Sequence, residues 1–160
     1  MLKRDVLNKI LLLHIMETSS KKNIKGSTRL QKMVFASESQ ARKKGTNAFN
    51  YDFIRWYYGP YSEELSSDIE VLISKGLIKR DNQNNYTLTP SGKGTLEKAK
   101  KILPKVADLD VLQNIVDDYS EKKLKVLLKE VYNDYNVTSY NMGEVIEPLK
   151  YSEASESPNV

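Results

Sequence analysis

Reactive side chains are sparse in this chain of 160 residues. His14 is the single histidine and there is no cysteine, so no thiolate site and no Cys–His or His–His constellation can be assembled. His14 falls inside an apolar run, where an isolated imidazole is expected to be structural. The carboxylate pairs Glu63/Glu64 and Asp117/Asp118 are sequence neighbours and point in different directions on a helix, which argues against a catalytic dyad. Gly92-Lys93-Gly94 lacks the spacing and the strand-to-helix setting of a phosphate loop. Asn136-Val137-Thr138 matches a glycosylation sequon without a secretion signal, an accidental match. No catalytic site, cofactor or metal is expected.

Chemistry of binding is better represented. Lys21, Lys22, Lys25, Arg29 and Lys32 cluster ahead of and within one helical segment, and Lys79 and Arg80 follow a glycine-closed helix. Cations in loops and at helix starts are what phosphate contacts require. Residues 1–103 hold 19 Lys/Arg against 10 Asp/Glu, whereas residues 104–160 hold 6 against 11. A basic body with an acidic C-terminal part suggests an anionic partner, or a contact between the two halves within or between chains. The segment Ser62 to Lys75 carries the acids Glu63, Glu64, Asp68 and Glu70 against one base. Ser66 and Ser67 there could bond to base edges or backbone, but the acids would repel a phosphate-lined groove. A partner protein with a basic surface would suit that helix better.

The elements that must position these residues follow from apolar spacing. Val6, Ile10 and Leu13, widened by Leu7, Leu11 and Leu12, predict a first helix over Leu2 to Met16. TSSKKNIKGST reads as a polar linker. Leu30, Met33, Val34, Ser37 and Ala41 predict a second helix, stopped by Arg42, Lys43, Lys44 and Gly45. In FNYDFIRWYYGPY, alternating Phe49, Tyr51 and Phe53 precede Trp56, Tyr57 and Tyr58, giving an extended segment broken at Gly59-Pro60. Most of these rings are expected in the core of so small a domain, although exposed rings would make a base-stacking platform. Ser62 caps a third helix with Leu65, Ile69, Leu72 and Ile73 on one face and Gly76 at its end. Short strands Leu77–Arg80 and Asn85–Thr89 flank the turn DNQNN, and Thr89-Pro90 opens a fourth helix running to about Leu103. Beyond Pro104, Val111 to Tyr119 predict a fifth helix, and Ser120 is expected to cap a sixth carrying Leu124, Leu127, Leu128, Val131 and Tyr135. From Tyr151 the chain is too polar to pack.

Helix, helix, extended aromatic segment, helix and wing is the order of winged helix-turn-helix domains, and ISKGLIKRDNQNNYTLTPSGKGTLEKA resembles their helix-to-wing segment. TRLQKMVFA followed by YDFIRWYYGPYSEEL resembles the phage-associated, SocA-like or Panacea-type antitoxin domains and the related YwgA-type proteins. The likeness covers roughly residues 3–103, and LLKEVYNDYN resembles the C-terminal part of some YwgA-type chains. It implies a mostly helical winged-helix-like domain, found in regulators or in antitoxins that bind and neutralise a toxin, and it implies no enzyme. The expected fold is mainly α with a small β-wing, an α+β winged helix-turn-helix domain over 1–103. A helical extension that could dimerise occupies 104–150, and a disordered tail 151–160. Function is expected to be that of a cytoplasmic, non-enzymatic regulator binding double-stranded DNA through Lys21, Lys22, Lys25, Arg29, Lys32, Ser66, Ser67, Lys79 and Arg80. The alternative is an antitoxin-like or adaptor module for a protein partner such as a toxin. A charge-interrupted N-terminus and an apolar run of only Ile10 to Leu13 predict no membrane contact.

Overall fold

The computed structural model describes residues 3–146. Helix α1 (Arg4–Thr18) buries Leu11, Leu12, Leu13, Ile15 and Met16, as its wide apolar stripe requires. The segment after it is more ordered than its polar composition suggests. A single 3-10 turn at Ser20–Lys22, with Lys21 and Lys22 both at positive φ, swings the chain into a short strand β1 (Asn23–Lys25). Helix α2 (Ser27–Lys44) follows directly and closes at Gly45. Every residue from Arg29 to Ser39 on α2 is buried, polar ones included.

Strands β2 (Phe53–Trp56) and β3 (Gly59–Tyr61) form an antiparallel hairpin in which Trp56 pairs with Gly59. The break expected at Gly59-Pro60 therefore falls two residues earlier, at Tyr57-Tyr58. The register decides this: Pro60 sits opposite Arg55 on an edge strand, where its missing N–H disrupts no ladder. A third strand, β6 (Val145–Ile146), completes the sheet in the order β3-β2-β6. Ser62 caps α3 (Glu63–Ser74), its hydroxyl accepting from the Leu65 N–H at 3.1 Å.

Strands β4 (Ile78–Arg80) and β5 (Asn85–Leu88) form the second hairpin, and β1 adds to it in the order β1-β5-β4. The Thr89 hydroxyl then caps α4 (Pro90–Ala99) by accepting from the Gly92 N–H at 3.0 Å. Gly92 is required there, because a Cβ would overlap the Leu77 carbonyl oxygen. Helix α4 is shorter than expected, and a separate turn of helix, α5 (Leu103–Val106), takes up Pro104 at its start.

Asp108 caps α6 (Leu109–Tyr119), and α7 (Leu124–Asp134) follows. Ser120 closes α6, donating to the Val116 carbonyl at 2.6 Å, rather than opening α7. Both helices pack on α2, and Leu112, Val116, Leu127 and Val131 belong to the same hydrophobic cluster as α1 and α2. The core thus continues through Pro104. The architecture is α+β, helices around α2 with two three-stranded antiparallel sheets. Among the described residues no helix is long and apolar enough to cross a membrane. The expected tail at 151–160 lies outside the described residues, as does the end of the expected extension.

Candidate functional site

The TRLQKM stretch occupies the first two turns of α2, and its polar side chains turn inward because helices and a strand enclose α2. Arg29 donates from Nη1 to the Tyr119 carbonyl at 2.6 Å, at the C-terminal end of α6. Gln31 brackets the start of α3: Nε2 donates to the Ser62 carbonyl at 2.9 Å, and Oε1 accepts from the Ser62 N–H at 2.8 Å. Lys32 donates from Nζ to the Pro60 carbonyl on β3 at 3.0 Å. Arg29 is 6% exposed and Lys32 2%. The expectation that these two cations face a phosphate backbone is corrected accordingly, since both are turned toward main-chain carbonyls of neighbouring elements.

The other expected contacts divide. Lys25 pairs with Glu121 at 2.7 Å, Lys22 with Glu17 at 3.8 Å, and Arg80 with Glu70 at 2.8 Å, its guanidinium also over the Tyr86 ring. Ser66 is within hydrogen-bond distance of Gln31 and of the Tyr61 hydroxyl. Lys21, Ser67 and Lys79 are exposed. Lys25, Arg29, Ser66 and Arg80 do share one groove, of about 510 Å3, between the start of α2, α3 and the β4–β5 hairpin. Glu70 lines it as well, so its charge is mixed.

The aromatic segment splits into two populations. Phe49, Tyr51 and Phe53 are buried, as the alternation predicts, with Phe35 edge-on to Phe53. Trp56, Tyr57 and Tyr58 are 39%, 69% and 62% exposed at the tip of the β2–β3 hairpin. The expectation that most rings of this segment lie in the core holds at Phe49, Tyr51 and Phe53 and is corrected at these three positions. The register of the hairpin, which leaves Tyr57 and Tyr58 as a two-residue turn between Trp56 and Gly59, is what carries these rings away from the core. The tip is seated closely at its base. Gly59 has φ +100°, and a Cβ there would come within 3.3 Å of the Tyr132 ring and 3.4 Å of Lys32 Cε.

Beneath the tip lies a second pocket of about 190 Å3, lined by the three exposed rings, Ser27 and Thr28 at the start of α2, Gln31, Lys32, Gly59 and Tyr61. No acidic side chain among the described residues lines it. Burial draws the Lys32 ammonium down to about 7. Further along α2, burial pushes the Glu38 carboxyl up to about 8, opposed by the Tyr51 N–H and by Arg42. Burial together with a 2.6 Å hydrogen bond to Asp68 raises the Tyr51 hydroxyl well above its ordinary range. The His14 imidazole is lowered by burial and partly restored by Glu17. Among the described residues no cluster of three His or acidic side chains is suited to hold a metal. His14 lies on α1, Lys32 and Glu38 on α2, and Tyr51 on the segment leading into β2, where its N–H donates to Glu38 at 2.7 Å. The tip thus brings together three exposed rings, the start of α2 and the buried Lys32 side chain.

Comparison with known proteins gives one informative match. The chain is similar to YwgA. That protein, the uncharacterized protein YwgA of Bacillus subtilis (strain 168), is 31% identical over 118 residues, which are 68% of this chain. The match spans 65% of YwgA, a little under two thirds of its length. No family model matches the chain, and no solved structure does.

Proposed function

We propose that this chain is a non-catalytic protein-binding module of winged-helix type that docks a protein partner through the β2–β3 tip. The winged-helix part is supported by topology: α1, β1, α2, α3 and the β4–β5 hairpin follow one another, with the first strand added to that hairpin in the order β1-β5-β4. The β2–β3 hairpin is then an insertion between the second and third helices. The docking part rests on one observation, the contiguous exposure of Trp56, Tyr57 and Tyr58. Large aromatic side chains are concentrated at the centres of protein interfaces, where desolvating them contributes most.

The test is co-purification of the tagged chain with its native neighbours, compared with the Trp56→Ala/Tyr57→Ala/Tyr58→Ala variant. A specific polypeptide retained by the first and lost from the folded second is the expected result. An identical set from both overturns the reading.

Duplex DNA remains a second reading, favoured by the exposure of Lys21 and Lys22 beside β1 and of Lys79 on β4. Fluorescence anisotropy of duplex DNA at two salt concentrations separates the two. Affinity that falls steeply with salt and is lost in Lys21→Glu/Lys79→Glu would establish the DNA reading. The protein-docking reading expects no such dependence. On either reading a homodimer would use surface other than the α6 and α7 faces packed on α2.

A further inference from the structure

The Lys32 side chain is buried at the base of the tip, 2% exposed. Its Nζ donates to the Pro60 carbonyl at 3.0 Å, and among the described residues it has no carboxylate partner. An ammonium has three donors, and a buried unpaired charge is costly to a fold. The same small pocket contains the start of α2, an 18-residue helix whose N-cap, Gly26, supplies no side-chain hydrogen bond. The N–H groups in the first turn of a helix carry partial positive charge and accept anions. Lys32 and the first turn of α2 therefore line one pocket beneath the Trp56–Tyr58 rings, with no acidic side chain among the described residues in its lining.

We infer that this pocket is a socket for a carboxylate side chain of the protein partner, received between Lys32 and the first turn of α2 and flanked by the rings of Trp56, Tyr57 and Tyr58. The inference rests on the protein-docking reading and gives it a chemistry: an acidic residue beside an aromatic or aliphatic one. The carboxylate supplies the charge that Lys32 lacks, and the rings exclude water from the pair, which strengthens it. A phosphate backbone fits less well, because the pocket is small and roofed by rings and the neighbouring groove carries Glu70.

Trp56 is the only tryptophan in the chain, so intrinsic fluorescence reports on this pocket. The probes are N-acetyl-Glu-Phe amide and N-acetyl-Gln-Phe amide, nearly isosteric and different in charge. On the unmutated chain, the glutamyl probe is expected to shift Trp56 emission and the Ser27 and Thr28 amide resonances at a concentration about tenfold or more below the glutaminyl one. In Lys32→Met the two probes become equivalent. If that variant does not fold, the probe pair on the unmutated chain still decides. Equal response to both probes, or no movement of the Ser27 and Thr28 amides, overturns the socket. That outcome is distinct from failure of the docking reading, which is judged by whether the tip variant loses its polypeptide.

Discussion

Two residues on α2 carry opposite pH signatures. Glu38 is raised from 4.5 to about 8 by burial, so the folded chain holds the extra proton across that window and stability falls as pH rises through it. Lys32 is lowered from 10.5 to about 7, so from there upward the unfolded chain holds the extra proton and stability climbs with pH. The wild-type contribution of the pair is therefore least favourable near pH 7 to 8. Urea midpoints measured from pH 5 to 10 check this. Glu38→Gln is expected to remove the descending limb and Lys32→Met the ascending one, while profiles parallel to the wild type would refute the assignment. Neither signature was legible in the sequence. Spacing located Leu30, Met33 and Val34 on a buried face, but Arg29 and Lys32 beside them were expected to face a phosphate backbone. Only the enclosure of α2 by other elements turns them inward.

Elements were legible to the extent that their signals are local. Ser62 and Thr89 cap the helices expected of them, and Gly45 and Gly76 end theirs. Strand β1 was not legible, because three residues between a turn and a helix have no periodicity and their partner β5 lies some 60 residues later. The aromatic hairpin was half legible: alternation separated Phe53 from its neighbours, but the position of the turn decided which rings stay wet. The joint between the β4–β5 hairpin and α4 makes a sharp prediction. In Gly92→Ala the new Cβ meets the Leu77 carbonyl, a backbone atom that cannot swing away. A loss of about 2 kcal/mol or more is expected, read as a lowered thermal midpoint. A midpoint within a degree of wild type would mean that the α4 start is not held as described.

For the whole molecule, the charge asymmetry between the two parts of the chain is met partly within it. Lys25 pairs with Glu121 and Lys44 with Asp108, each joining the basic first part to the acidic later one. Arg29 reaches the end of α6 in the same direction. The division expected at 103/104 thus crosses a shared core. Truncation after Leu103 removes Leu112, Val116, Leu127 and Val131, all at most 1% exposed. At about 2 to 3 kcal/mol for each buried aliphatic side chain, the loss is comparable to the roughly 5 to 15 kcal/mol that stabilises a domain. Residues 1–103 alone are expected to lack a cooperative thermal transition by circular dichroism. A sharp transition in that fragment would restore the two-part description.

The amino-acid sequence by itself determined most of the helices, the caps at Ser62 and Thr89, the wing-like hairpin after α3 and the scarcity of reactive groups, because these follow from spacing, turn chemistry and composition. Tertiary structure decided which polar residues are buried and which rings are exposed. Both depend on what lies against a residue, and that neighbour comes from distant parts of the chain: Pro60 for Lys32, Tyr119 for Arg29, Tyr132 for Gly59.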